Sequence, residues 1–426
     1  MSGDGKMAGN RRGFLEVSLR TSTLVALGSP RIPLFLEQSA RGMVEHGRAG
    51  SASNRVLVVV QLLGGNDGLN TVVPHGIDGY VRARKVLRIN TSSVVPVSET
   101  VGLHPSLGQF GKLLDGGKLA IVQGVGYPNP DRSHFRSMEI WESGRLDPQD
   151  LGTGWLGRAV DQLSVGPGGD VPAMHLGGGK RPLALQAMRV EVPSFERLED
   201  FRLRVPVEAG DMERRQLDQI ARMDPSGREL NPLLGFVRRS TLAAYDSSSR
   251  LERLIQSRAR GMTYPNYGLA RKLELVAQII KAGFGTSIYY TTQDGYDTHA
   301  NQLQTHAGLL NELADSLQAF HADLTASGHG DRVAILVFSE FGRRLAENAS
   351  AGTDHGAAAP VFLIGPVRKH ALIGEHPSLE PGDLDDGDPR FHTDFRRVYA
   401  DLLQGWMGLR AEPILGPGFD AMDIFA

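Results

Sequence analysis

Five short stretches of this sequence hold residues that could do chemistry, and each one lies next to an apolar run. They are Gly64-Gly65-Asn66-Asp67-Gly68-Leu69-Asn70, Asp131-Arg132-Ser133-His134, Asp294-Gly295-Tyr296-Asp297-Thr298-His299, Ser339-Glu340-Phe341-Gly342-Arg343 and Gly352-Thr353-Asp354-His355-Gly356. Carboxylates and imidazoles recur in them, which is what a metal site built without thiolates requires. Each stretch also has a plain reading. Asn66-Asp67-Gly68 is a common turn, Asp297 to His299 could cap the following helix, and Asp354-His355-Gly356 could be another turn. The argument for a site is that four or five such clusters fall at the ends, or just before the starts, of the expected strands. Ser133 stands where a helix should begin. There its hydroxyl lies beside unpaired backbone N–H groups and the positive end of the helix dipole. That position suits a nucleophile receiving a phosphoryl group, and it equally suits an N-cap.

The elements that must position these residues are legible as hydrophobic patterns. Arg55 to Leu63 is a continuous β-branched run closed by Gly64-Gly65, and reads as a strand buried on both faces. Similar runs occur at 119–123, 287–291, 333–338 and 361–364. Two good helices lie at 270–282 and 301–325, and the second carries Leu310, Leu313, Leu317, Phe320 and Leu324 on one stripe. His306 extends that stripe and reads as a satisfied buried histidine. The alternation predicts an α/β fold, a mostly parallel sheet flanked by helices on both faces. In such sheets ligands bind beyond the carboxyl ends of the strands, where four of the stretches fall, and Gly352 to Gly356 lies just before the start of the fifth strand. A polar, charged segment at about 194–262 has no strand-like run and reads as a helical insertion.

Composition narrows the chemistry. The 426 residues include no cysteine, which excludes disulfides, thiolate zinc sites, iron–sulfur clusters and cysteine nucleophiles. Lys plus Arg total 46 against 48 Asp plus Glu, so no basic face for nucleic acid is expected. No apolar run reaches the length of a membrane span after the leader. No G-x-S-x-G occurs, against an α/β-hydrolase esterase. The start, Asn10-Arg11-Arg12-Gly13-Phe14-Leu15, reads as a twin-arginine export signal, with Val17 to Leu36 as its weakly apolar core. Residues 1–54 are therefore read as signal and linker, 55–426 as one domain, and the location as periplasmic or secreted. The expected partner at that stage is the twin-arginine export machinery.

Together these stretches resemble domain-of-unknown-function family 1501, a twin-arginine-exported bacterial family similar to the alkaline phosphatase and sulfatase superfamily. Val58 to Pro74, Arg132 to Met138, Gly295 to His299, Phe338 to Arg343, Gly352 to Gly356 and Thr393 to Tyr399 carry the likeness. The resemblance implies an alkaline-phosphatase-like domain and a set of roles. Asp67 would be the first metal-binding aspartate, Asp297 and His299 a downstream metal pair, and Glu340 the acid closing the next strand. His355 would be the last metal histidine, with Asp354 beside it. Ser133, His134 and Arg136 would form the catalytic group, with Arg132 or Arg136 neutralising an anionic substrate. Two departures stand out. One residue separates Asp297 from His299 where the superfamily has three, and Phe341 stands where a metal histidine follows. Ser133 also lacks the sulfatase formylglycine signature.

The resemblance thus implies an exported hydrolase of phosphate or related esters, on small molecules or polysaccharides. It would use one or two divalent ions (zinc, manganese or calcium). The departures motivate an alternative, a non-catalytic binding or assembly protein of the cell envelope on a degenerate hydrolase fold.

Overall fold

The computed structural model describes residues 54–147, 151–163, 170–196 and 263–425. The expected export signal lies outside the described residues, as does nearly all of the expected helical insertion. Where that insertion was expected to begin, Ser194–Phe195 instead form a short edge strand.

Beside a small separate three-stranded sheet at 72–73, 95–96 and 102–103, a nine-stranded mixed sheet organises the described residues. Its strands are β1 (Val56–Leu62), β2 (Leu119–Gly126), β3 (Ala173–Leu176), β4 (Ser194–Phe195), β5 (Ile288–Gln293) and β6 (Val333–Ser339). A hairpin of β7 (Arg343–Glu347) and β8 (Thr353–His355) stands apart, and β9 (Ala359–Ile364), β10 (Ala371–Ile373) and β11 (Thr393–Asp394) complete the sheet. The order across it is β10-β2-β9-β6-β1-β5-β3-β4, with β11 also pairing β2. β1 lies at the centre, parallel to both neighbours, with Val58 opposite Tyr289 on one side and Ile335 on the other. All the expected strands are present. β9 runs antiparallel to β2 and β6, the one reversal in a sheet otherwise parallel.

Burial explains why the strand runs are unbroken by polar residues. Along β1, Val56, Val58, Val60 and Leu62 enter one core, and Leu57 and Val59 enter the other. Period-2 alternation therefore places apolar side chains on both faces. The first core is roofed by α1 (Gly268–Lys281) and α2 (Gln302–Ala326), whose Leu310, Leu313, Leu317, Phe320 and Leu324 are all buried. The second core is aromatic. Trp155 stacks on Tyr399 at 4.0 Å, and Trp141 stacks on Phe395 at 4.5 Å and Phe338 at 5.1 Å. Such offset contacts add to the area that large rings bury. Among the described residues, no helix is long and apolar enough to cross a membrane.

With hydrophobic layers on both faces, loops with polar residues are left at the strand ends. The chain after β1, β5 and β6 leaves the carboxyl edge of the sheet, and the β7–β8 hairpin brings His355 back opposite Arg343.

Candidate metal centre

Two glycines allow the loops to close on one another. Gly64 has φ +119, and a Cβ there would sit 2.3 Å from the backbone nitrogen of Asp297. Gly65 has φ +74, and a Cβ there would meet the Phe341 ring at 2.1 Å. Only glycine fits both the backbone conformation and the approach. The β1 loop is thereby pressed against the loops that follow β5 and β6.

Asp297 lies at the middle of what this closure assembles. Its Oδ1 is 2.8 Å from Arg343 Nη2, 3.0 Å from His355 Nε2 and 3.0 Å from His299 Nε2. His134 Nε2 lies 3.5 Å from Oδ2. Burial pushes the Asp297 carboxyl up, but the hydrogen bonds of His355 and Arg343 outweigh it and hold the pKa at about 2. The group is an anion at neutral pH. One ligand atom each from His134, Asp297 and His355 fits within a span of 4.8 Å, a possible metal site.

What lies behind each histidine supports that reading. His134 Nδ1 bonds to Glu340 Oε1 at 2.9 Å, and His355 Nδ1 bonds to the Arg132 carbonyl at 2.8 Å. His299 Nδ1 faces Asp354 Oδ1 at 3.4 Å. Each ring thus turns Nδ1 to an oxygen acceptor and aims Nε2 at Asp297. A metal-binding histidine is oriented in this way, its second nitrogen donating to a carboxylate or carbonyl. The Nε2 atoms of His299 and His355 face each other at 2.9 Å, a pair that needs a shared proton or a cation between its lone pairs. The donor set fits a divalent metal.

The glutamate is an orienting group here. Glu340 is fully buried. Its Oε1 accepts from Gly64 N at 2.8 Å as well as facing His134, and its Oε2 accepts from Ser339 Oγ at 3.0 Å. The hydrogen bond to Glu340 raises the His134 pKa against the effect of burial. Arg343 is the other organiser, with Nε donating to the Gly65 carbonyl and Nη1 to that of Thr353, both at 2.7 Å. Its guanidinium ties the β1 loop, the β8 strand and Asp297 together.

Two expected residues lie elsewhere. Asp67 is fully buried and its oxygens are taken. Arg84 Nη1 lies 2.6 Å from Oδ2 and Nη2 3.2 Å from Oδ1, and Gln302 Nε2 also donates to Oδ2. The Arg84 charge answers that of Asp67, the residue expected as the first metal-binding aspartate. Arg136, expected in the catalytic group, donates to Glu139 and the Leu146 carbonyl. Glu340 faces Nδ1 of His134, and Asp354 faces Nδ1 of His299. Ser133 is exposed and holds the N-cap position of α3 (His134–Ser143), yet its side chain caps no backbone N–H. It sits between Arg132, whose carbonyl holds His355, and His134. Arg343 and the Glu340–His134 pair were not foreseen, since no spacing in the sequence joins residues more than 200 positions apart. The adjacency of Ser133 and His134 was the available signal for the latter ring.

Phe341, at the sequence position where the resemblance implies a further histidine, packs against two of the rings. Its ring centroid lies 4.6 Å from that of His355 and 5.0 Å from that of His134.

A family model described as "Protein of unknown function (DUF1501)" matches residues 120–413. The chain belongs to this family. Within the matched stretch fall His134, Asp297, His299, Glu340, Asp354 and His355, so the cluster is contained in the family region. No curated protein matches the sequence. Among solved structures, the chain is similar to the PsFucS1 sulfatase from Pseudoalteromonas sp., at 11% identity and a TM-score of 0.35, over 83% of this chain and 70% of that one. It is also similar to the C-terminal periplasmic domain of EcEptC from Escherichia coli, at 10% identity and a TM-score of 0.36, over 88% and 89% of the two chains. A protein in the alkaline phosphatase superfamily from Vibrio parahaemolyticus matches at 8% identity and a TM-score of 0.34, over 80% and 70%. The chemistry of the site rests on its own geometry.

Proposed function

We propose that this DUF1501 protein is an exported hydrolase of phosphate or sulfate esters that works with a divalent metal. The observation that carries the reading is the convergence of His134 Nε2 and His355 Nε2 on Asp297, with both Nδ1 atoms already tied to oxygen acceptors. His134, Asp297 and His355 would hold the ion, and His299 is the further candidate ligand. A donor set rich in imidazole favours zinc over manganese or calcium, which suit oxygen ligands. Bound there, the ion would supply the positive charge that polarises an ester oxygen and eases loss of a proton from a hydroxyl or water.

The chain supplies the rest. Ser133 is the proposed nucleophile, an exposed hydroxyl at the start of α3, where the helix end favours developing negative charge. Glu340 and the Arg132 carbonyl keep two imidazoles in register, and Arg343 keeps Asp297 ionised and in place. The substrate class is an anionic ester on a small molecule or polysaccharide. Export by the twin-arginine route is supported by Arg11-Arg12 and the apolar stretch that follows.

The test is elemental analysis of purified protein together with aryl phosphate and aryl sulfate hydrolysis. Wild type should carry a stoichiometric metal, Asp297→Ala and His355→Ala should lose it, and Ser133→Ala should keep it while losing turnover. Metal-free wild type would sink the proposal. The Phe341 ring packed against both histidines favours a second reading, a binding protein of the envelope on a degenerate site. Metal retention with no hydrolysis by wild type or Ser133→Ala would favour that alternative.

A further inference from the structure

Beside the metal-ligand cluster, one exposed carboxylate oxygen bridges two arginines. Asp386 Oδ2 accepts from Arg132 Nη1 at 3.0 Å and from Arg344 Nη2 at 3.0 Å. Both arginines adjoin the cluster. The Arg132 carbonyl holds His355, and Arg132 directly precedes Ser133. Arg344 follows Arg343 in β7, and its charge helps to lower the pKa of Asp354, after the hydrogen bonds of Asn348 and His299. Each guanidinium is about one third exposed, at 36% and 34%.

The two aspartates on this loop differ in kind. Asp388 is 1% exposed, and its Oδ2 takes Arg132 Nε at 2.9 Å and Nη2 at 2.6 Å. It is the fixed partner that holds the guanidinium plane. Asp386 is 72% exposed and sits at φ +52, on a turn closed by backbone pairing of Asp385 with Asp388. An aspartate in the left-handed region is uncommon and carries some strain. Its pairing is of the exposed kind, which contributes little and exchanges readily. Two guanidiniums directed at one oxygen are also the arrangement that binds phosphate, sulfate or carboxylate.

We propose that Arg132 and Arg344 form a second anion subsite next to the metal-ligand cluster, covered by Asp386 in the free protein. The ligand is a substrate with two anionic groups, a class that rests on the hydrolase reading. Its ester lies at the cluster, and a second sulfate, phosphate or carboxylate replaces Asp386 on the arginines. Asp388 stays in place and keeps Arg132 oriented. No covalent step is involved, only exchange of one anion for another.

Calorimetric titration of metal-stripped, full-length protein with sodium sulfate at constant ionic strength tests the subsite without reference to the metal. Asp386→Asn should bind sulfate more tightly than wild type, by up to about fivefold given the small worth of an exposed pair. Adding Arg344→Ala should remove that gain. Arg344→Ala alone should weaken sulfate binding, which gives a second variant should Asp386→Asn fold poorly. Unchanged affinity in Asp386→Asn, or a gain that survives loss of Arg344, overturns the subsite. Protein as purified should then prefer a disulfated over a monosulfated disaccharide, and Arg344→Ala should erase the preference. Equal binding of the two sugars by wild type overturns the two-anion substrate class while leaving metal binding unaffected.

Discussion

Glu340 meets no solvent, so its charge must be answered from within the fold. His134, the Gly64 amide and the Ser339 hydroxyl do this. Glu340→Gln is nearly isosteric, but its amide can present N–H where His134 needs an acceptor. The imidazole would then lose the partner that keeps Nε2 free. Metal affinity should fall on the order of 10- to 100-fold, as for other outer partners of metal histidines. Competition with a chelator measures it, and an unchanged affinity would remove Glu340 from the site. Asp67 gives the opposite case. Its partner Arg84 is also fully buried, so the pair sits entirely out of water. Arg84→Met would leave a buried carboxylate without its cation, and a destabilisation of about 3–5 kcal/mol is expected. Urea unfolding checks this, and a cost under about 1 kcal/mol would mean that water or another group replaces the arginine. At this scale the sequence was half informative. Asp297 and His355 stood out by type and position, and both lie in the cluster. Asp67 has the same type and an equivalent position, yet its role is decided by an arginine 17 residues on, which only the fold brings to it.

The loops after β1, β5 and β6 meet because the strands are parallel neighbours, so their carboxyl ends emerge side by side. That much follows from apolar runs and glycine punctuation, and the expected strands are all present. The antiparallel direction of β9 was not legible, because a buried run reads the same in either direction. Nor was the β7–β8 hairpin, whose five-residue and three-residue strands mix polar and apolar residues without clear alternation. The hairpin matters, since it returns His355 to the cluster and places Arg343 behind Asp297. What presses the β1 loop onto it is Gly65 against Phe341. Gly65→Ala would put a Cβ into the ring and an alanine at φ +74. Overpacking and strain of this kind cost about 1–3 kcal/mol each. The ring would be pushed toward His134 and His355, so metal binding should weaken along with stability. Thermal melts with and without added zinc would show both effects. A variant with wild-type melting in both conditions would show that the contact relaxes freely.

Across the whole molecule, two hydrophobic layers hold a sheet with a buried ion pair at the root of its central loop. One large α/β unit after the leader was the expectation; among the described residues the nine-stranded sheet has a hydrophobic core on each face, beside smaller two-stranded and three-stranded sheets. Asp67 links this architecture to pH. Burial pushes its pKa up, but the charge and hydrogen bonds of Arg84, with His306 and Gln302, bring it down to about 2 from an ordinary 3.8. A folded-state pKa below the unfolded value means that the unfolded chain binds the proton first as pH falls. The stabilisation is therefore complete above about pH 4 and is lost as pH drops toward 2, an amount near 2 kcal/mol. Asp297 is held at about 2 as well, but its side chain is half exposed, so screening leaves it a smaller share. Urea unfolding at a series of pH values should show wild-type stability falling across that window. Arg84→Met removes the main effects that lower Asp67 and leaves burial, the largest cause, opposed only by His306 and Gln302, so its pKa is expected to rise above the unfolded value. In that variant the folded state would take up the proton first, so the Asp67 contribution changes sign and favours folding as pH falls. The gap in stability between wild type and variant should therefore narrow from pH 5 to pH 2. Parallel profiles for the two proteins would mean that Asp67 does not titrate against Arg84.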